Sequence, residues 1–177
     1  LLEIRALKRK GYDPEYERVE TAGAMRTALR EKTWDIIVCD YQMPKFNGLA
    51  AIALLKETGI DIPMIIVSGA IGEETAADCM RFGAHDYIRK GNLSRLVPAI
   101  ERELKEAESR SKRQQAEKAL RESEERYNAL FDRSLDLVYI TDFEGRFIDA
   151  NDAALNRLGY AREEIYTLNF ASLLSED

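Results

Sequence analysis

The sequence lacks the features that mark several large classes of protein. In 177 residues it has two cysteines, one histidine and four prolines. No apolar run approaches the ~20 residues that a membrane-spanning helix needs. The 26 basic and 32 acidic residues give a net charge of −6, which disfavours a nucleic-acid surface. No glycine-rich phosphate loop is present, which argues against a nucleotide-binding enzyme.

The scarcity of cysteine and histidine limits the chemistry further. Cys39 and Cys79 fall on apolar stretches, so we expect two buried free thiols rather than a disulfide. Free thiols fit a reducing compartment, and we therefore expect a cytoplasmic protein. His85 has no second histidine or cysteine close by, so we expect a position in a loop or at a helix end rather than a metal site.

Three apolar runs in the first half predict a parallel sheet with helices on both faces. The runs are residues 36–39, 62–67 and 86–88. Helical patterns separate and flank them, at residues 21–32, 48–58 and 72–82. Strands that alternate with helices of about a dozen residues are typical of a doubly wound α/β fold.

Each of these runs ends near a polar side chain. Asp40 follows the first run, Ser68 follows the second and Lys90 comes shortly after the third. Because the carboxyl ends of parallel strands meet at one edge of the sheet, we expect a carboxylate, a hydroxyl and an ammonium group to lie there together.

The motifs at these strand ends make residues 1–92 resemble the receiver domain of response regulators in two-component signalling. They are Asp40, Met43-Pro44, Gly48, Ser68-Gly69, Tyr87 and Lys90. The resemblance implies a flavodoxin-like doubly wound parallel sheet, and it implies that Pro44 and Gly48 shape the loop after Asp40. It also implies a histidine kinase or a histidine phosphotransfer protein as the phosphodonor.

The resemblance assigns a role to each site residue. Asp40 would be the phosphoacceptor, Ser68 the switch hydroxyl and Lys90 the cation that pairs with the phosphoryl group. Tyr87 would be the aromatic residue whose rotamer reports phosphorylation. Mg²⁺ would bind Asp40, the backbone carbonyl of Gln42 and a pair of acidic residues after the first strand. An aspartate nucleophile must be ionised, which is its ordinary state at neutral pH.

The sequence departs from the receiver pattern in two places. The acidic pair is absent, because residues 1–7 already show the apolar spacing of the first helix. Gly91 follows Lys90, where the family usually has a proline with a cis bond. Residues 16–20 predict the second strand, and its ladder partner in the family order 2-1-3-4-5 would be the missing first strand. We therefore expect this sequence to be a fragment of a longer protein.

Residues 93–130 differ in character from the first half. They are rich in charges of both signs, contain no glycine and have no proline after Pro98. Two heptad-like runs, residues 100–111 and 116–130, are joined by a phase shift. This pattern predicts one continuous helix that pairs with a second copy as a coiled coil with a stutter. The alternative is a single solvated helix stabilised by i,i+4 charge pairs.

The last segment predicts a small mixed module. Residues 135–142 and 146–149 predict a hairpin around a turn at 143–145, and Asn151 and Gly159 bound a short helix. These motifs make residues 131–177 resemble the first half of a PAS sensor domain, a partial α+β module: Asp142-Phe-Glu-Gly145, Ile148-Asp-Ala-Asn151 and Leu158-Gly-Tyr160. No flavin-binding cysteine motif or haem-ligating histidine is present, so the PAS ligand is unknown.

Three functions are compatible with these patterns. The first is a phosphoacceptor receiver that relays its state through the helix to the PAS module, as in hybrid sensor kinases or multidomain response regulators. The second is a receiver-like scaffold that signals by protein contact without phosphorylation. The third is an enzyme of another doubly wound class. The combination of Asp40, Ser68, Tyr87 and Lys90 favours the first. No catalytic output motif is visible, although the parent protein could be a sensor histidine kinase.

Overall fold

The computed structural model describes residues 2–44, 46–69 and 73–173. It divides into two compact units, Leu1–Lys112 and Arg113–Asp177. The elements of the first unit are α1 Leu2–Arg9, α2 Ala22–Glu31, β1 Ile37–Asp40, α3 Gly48–Thr58, β2 Met64–Ser68, α4 Glu73–Phe82, β3 Asp86–Arg89 and a 3-10 helix Lys90–Arg95. Helix α5, Leu96–Asp132, begins in this unit. None of the described helices is both long and apolar enough to span a lipid bilayer.

The three strands of the first unit form one parallel sheet in the order β1-β2-β3. In register, Asp40 lies opposite Val67, and Ser68 lies opposite Arg89. The carboxyl ends of all three strands therefore meet at one edge, as the sequence predicts. The flavodoxin-like fold class is confirmed, although the structure describes only three strands in the sheet of this unit.

Every residue of β2 is fully buried because helices cover both faces of the sheet. Met64 and Ile66 face a core that includes Met25 of α2 and Ile52 of α3. The alternate residues of β2 face a second core, formed with apolar residues of α1 and α5. This alternation explains why the strand sequence is apolar throughout.

The predicted strand at residues 16–20 is wrong, because these residues have no regular secondary structure. The sheet order makes β1 an edge strand, so no adjacent strand is described that could form a ladder with this segment. Strand geometry depends on hydrogen bonds to a neighbour, and a segment without one stays irregular. Val19 still packs, half-buried, against the first core.

The predicted continuous helix is confirmed over most of its range. Helix α5 runs from Leu96 to Asp132, and the preceding 3-10 helix contains Asn92 in a non-helical conformation (φ −133°, ψ 51°). The exposed middle of α5 carries i,i+4 ion pairs, which support an isolated helix. These pairs are Glu108–Lys112, Arg113–Glu117, Lys118–Glu122 and Arg121–Glu125.

The second unit contains the end of α5 and a small antiparallel sheet. Its further elements are β4 Tyr139–Thr141, β5 Phe147–Ala150, α6 Asp152–Leu158, α7 Arg162–Ile165 and α8 Phe170–Leu173. The predicted hairpin is confirmed, and its turn has Gly145 in the left-handed region with φ +82°. Asn151 and Gly159 bound α6 as predicted, and Phe147 and Ile165 are buried in the core.

Candidate functional site

The edge where the parallel strands end brings Asp40 and Lys90 into direct contact. Asp40 is the last residue of β1, and Lys90 follows β3. The Lys90 Nζ atom lies 2.5 Å from Asp40 Oδ2, and the two side chains are 33% and 32% exposed. The other carboxylate oxygen, Oδ1, accepts a hydrogen bond of 3.2 Å from the backbone N–H of Gln42. The carboxylate is thus oriented by a cation and an amide while solvent still reaches it.

The hydroxyl groups of the two predicted switch residues, Ser68 and Tyr87, are buried. Ser68 is the last residue of β2 and is fully buried, and Tyr87 lies in β3 with its ring against the first core. Within the described ranges, neither Ser68 Oγ nor the phenol oxygen of Tyr87 has a hydrogen-bond partner. An unsatisfied buried hydroxyl costs about 1–3 kcal/mol. Neither hydroxyl therefore contributes to the stability of this conformation, and each needs another explanation.

The loop between β1 and α3 is built around a close backbone approach. The N–H of Gly48 donates to the carbonyl of Tyr41 at 3.0 Å. A Cβ atom at Gly48 would lie 3.2 Å from Tyr41 Cα, so glycine is the residue that fits without displacing the loop. Pro44 is exposed in this loop, and the buried ring of Phe46 anchors it. Asn47 caps α3 by accepting from the N–H of Ala50 at 2.8 Å.

His85 has a structural role at the opposite end of the sheet, which sequence patterns did not indicate. Its Nδ1 atom accepts from the N–H of Met64 at 3.1 Å, and its own N–H donates to the carbonyl of Met64 at 2.8 Å. The 2.8 Å bond is donated by the backbone N–H of His85, so the ring and the backbone of this residue together link the loop before β3 to the start of β2. A loop position was predicted, but the side-chain bond to Met64 depends on tertiary contact.

The cysteines agree with the prediction. Cys39 and Cys79 are both buried and free. Burial, with a smaller effect from the neighbouring Asp40 charge, raises the pKa of the Cys39 thiol to about 12. A thiol with this pKa stays protonated at neutral pH and does not act as a nucleophile.

Comparison with known proteins identifies this arrangement. Residues 3–101, more than half of the chain, match the family model of the response regulator receiver domain. The chain belongs to the receiver domain family. Residues 125–176 match the model of a PAS domain. The resemblances found in the sequence are therefore confirmed, and the first unit is a receiver domain of a two-component system.

Individual relatives of the receiver support this assignment. The transcriptional regulatory protein ZraR of Salmonella typhimurium is 32% identical over 77 residues, which are 43% of this chain and 18% of that protein. The sensor histidine kinase TmoS of Ectopseudomonas mendocina is 24% identical over an alignment of 167 positions, and the match covers 78% of this chain and 17% of that protein. The chain spans less than a fifth of the length of these curated relatives.

A solved structure supports the fold of the receiver. The crystal structure of the receiver domain of NtrX from Brucella abortus superposes with a TM-score of 0.52 at 26% identity. The match covers 59% of this chain and 88% of that domain.

Receiver domains generally bind Mg²⁺, but the described residues of this chain do not fit such a site by themselves. They contain no group of three or more His, Cys, Asp or Glu side chains that could hold a metal ion. Asp40 contributes one carboxylate, and Lys90 already holds one of its oxygens. A divalent magnesium ion requires about six oxygen ligands in octahedral geometry. Asp40 and the Gln42 carbonyl, the two ligands predicted within this chain, fall short of that set.

Proposed function

We propose that this receiver accepts a phosphoryl group on Asp40 and relays the change through α5 to the PAS module. The contact between Asp40 and Lys90 at the end of the sheet is the observation that carries the proposal. A partly exposed carboxylate is accessible to a phosphodonor, and the adjacent ammonium can hold the charge that the reaction brings.

The reaction would proceed by attack of an Asp40 carboxylate oxygen on the phosphorus atom of the donor. A new O–P bond forms while the bond from phosphorus to the donor histidine nitrogen breaks, and the donor leaves with that electron pair. Receiver domains take phosphoryl groups from histidine kinases or histidine phosphotransfer proteins, and we propose such a protein as the donor here. The product is an acyl phosphate on β1.

The neighbouring groups have the chemistry to respond to this product. Lys90 can exchange its bond to Asp40 Oδ2 for a charge-assisted bond to a phosphoryl oxygen. The Ser68 hydroxyl, which has no partner among the described residues, can donate to another. If Ser68 is drawn towards the phosphoryl group, the space beside it changes and the Tyr87 ring can respond. A scaffold without phosphorylation would leave both buried hydroxyls unexplained.

Helix α5 supports the relay and an association between two copies. Lys90 begins the 3-10 helix that continues into α5. An apolar row lies along the exposed part of α5 at heptad spacing, and Leu120 and Leu130 in it are 61% and 71% exposed. A second copy of the chain could bury these residues in a parallel coiled coil. We therefore propose a homodimer in which α5 transmits rotation or register shift.

The phosphoacceptor is tested by intact-mass measurement after incubation of the full-length protein with a small phosphodonor, with and without Mg²⁺. The wild type is expected to gain one phosphoryl group. Asp40→Asn is expected to gain none, because an amide cannot act as the nucleophile. Asp35→Asn is the matched control, since Asp35 is an exposed carboxylate two residues before the start of β1, away from the carboxyl end of the sheet. Equal labelling of Asp40→Asn and the wild type would refute the assignment.

A further inference from the structure

Asn151 in the PAS module makes many more contacts than a helix cap requires. Its Oδ1 atom accepts from the N–H of Ala154, which is the capping bond, and from the N–H of Val138, both at 3.0 Å. Its Nδ2 atom donates to the carbonyl of Phe131 at 3.0 Å and to that of Asp136 at 2.9 Å. The side chain is fully buried and uses both its donor and its acceptor. One residue thus joins the end of α5, the segment before β4 and the start of α6.

Arg162 makes a second connection to the same end of α5. Its Nη2 atom lies 2.9 Å from Asp132 of α5 and 3.1 Å from Asp152 of α6, and its Nη1 atom lies 3.1 Å from Asp149 of β5. Hydrogen bonds to these carboxylates, that to Asp132 first, raise the pKa of Arg162 above its already high value. The guanidinium therefore stays charged and connects three elements.

Asp132 is poorly suited to its position if α5 is considered alone. A carboxylate in the last turn of a helix meets the negative end of the helix dipole, which is unfavourable. The bond to Arg162 compensates for this charge. Phe131, one residue earlier, is buried, and its ring stacks on Tyr127 at a centroid distance of 5.2 Å. The last two residues of α5 are thus bonded to the rest of the PAS module, Phe131 through its carbonyl and Asp132 through its carboxylate.

We propose that Asn151 and Arg162 form the joint through which a displacement of α5 reaches the sheet of the PAS module. Both side chains bond the last turn of α5, and they also bond Val138 just before β4, Asp149 within β5 and Asp152 at the start of α6. Bonds of 2.9–3.1 Å weaken within a few tenths of an ångström, so α5 cannot move without moving these elements or breaking the bonds. This inference rests on the proposed relay, and it names the residues that receive it.

The joint is tested without phosphorylation by hydrogen exchange of the whole chain. Arg162→Gln removes the charge and is expected to speed amide exchange in residues 126–132 by about tenfold or more. The exchange of β5 and of Ile165 is expected to stay within about twofold of the wild type. Arg157→Gln is the control, because Arg157 is an exposed residue of α6 outside this network. Arg162→Lys, which keeps the charge, is expected to restore part of the protection.

Asn151→Asp distinguishes the proposed role of Asn151 in the joint from its role as the N-cap of α6. The carboxylate keeps the acceptors for Val138 and Ala154 but cannot donate to Phe131 or Asp136. Faster exchange confined to the end of α5 supports the joint. Equal loss of protection in α5, β5 and α6 for both Asn151→Asp and Arg162→Gln would show a general packing role and overturn it, as would no change in either variant.

A second arm separates this inference from the proposed function. Phosphorylation of the full-length Arg162→Gln variant is expected to change amide exchange in the receiver as it does in the wild type. The change that phosphorylation produces in β5 and α6 of the wild type is expected to be absent from this variant. Retention of both changes would overturn the joint. If the wild type takes up no phosphoryl group, the proposed function is wrong. The joint is tested separately, by the amide exchange of the unphosphorylated variants.

Discussion

Replacing Ser68 with alanine is expected to leave the receiver at least as stable as the wild type. The Ser68 hydroxyl is fully buried, and no group in the described part of the chain bonds to it. Its removal recovers a desolvation penalty of about 1–3 kcal/mol. Loss of the packing of one atom offsets about 0.8 kcal/mol of this gain. We therefore expect the free energy of unfolding to rise by about 0 to 2 kcal/mol.

The matched control is a hydroxyl that does have a partner. Thr21 caps α2, and its Oγ1 atom accepts from the N–H of Ala24 at 3.2 Å. Thr21→Ala is expected to lower the free energy of unfolding by about 1 kcal/mol. Both variants remove a hydroxyl from the same unit, and the methyl group that Thr21→Ala also removes belongs to an exposed residue, so the capping hydrogen bond is the main difference between them.

Urea titration followed by tryptophan fluorescence measures this difference. Trp34 is the only tryptophan of the chain, and its Nε1 atom donates to the carbonyl of Ala28 at 2.9 Å within the receiver. Its signal therefore reports the unfolding of that unit rather than of the PAS module. If Ser68→Ala lowers the midpoint as much as Thr21→Ala does, the hydroxyl makes a stabilising bond in the resting state. The role proposed for Ser68 as a free switch group would then be wrong.

Three further predictions follow from other parts of the molecule. Lys90→Ala is expected to change the free energy of unfolding by no more than about 1 kcal/mol. It is expected to abolish the change in amide exchange that phosphorylation produces in α5, and a change as large as that of the wild type would refute the role of the ammonium. Cys39 is expected to resist alkylation at mildly alkaline pH until urea unfolds the receiver, because burial raises its pKa to about 12; mass spectrometry of the folded chain showing rapid modification would contradict this. An insertion of seven residues beside Gln114 is expected to preserve signalling, because it keeps the heptad phase, and an insertion of two residues is expected to disrupt signalling. Equal signalling by the two variants would show that α5 only connects the two domains.

Elements defined by local signals could be predicted from the sequence. Helix α3 has the predicted bounds, Gly48–Thr58, because Asn47 supplies its N-cap and Gly59 takes the left-handed conformation (φ +68°) at its end. The contact between Asp40 and Lys90 could also be anticipated, since the strand ends of a parallel sheet share one edge. In these cases the sequence pattern that places each residue at a helix end or a strand end lies within a few positions of that residue.

Features that depend on distant partners could not be predicted in the same way. Residues 16–20 have a strand-like composition, but no neighbouring strand is described beside β1 to hold them. Asn151 could be recognised as a cap from its position before α6, whereas its bond to Phe131, twenty residues away, is set by tertiary packing. The bond between His85 and Met64 spans 21 residues and has no local pattern.

The geometry between Lys90 and α5 bears on the kind of force that leaves the site. Lys90 begins a short 3-10 helix, and Asn92 within it departs from helical geometry before α5 starts at Leu96. The residues of α5 are held by i→i−4 hydrogen bonds, whereas Asn92, outside helical geometry, can rotate more readily about its two backbone dihedrals. We therefore expect a displacement of the Lys90 ammonium to rotate the backbone first at Asn92. Of the two motions proposed for α5, we therefore expect rotation to contribute more than a register shift.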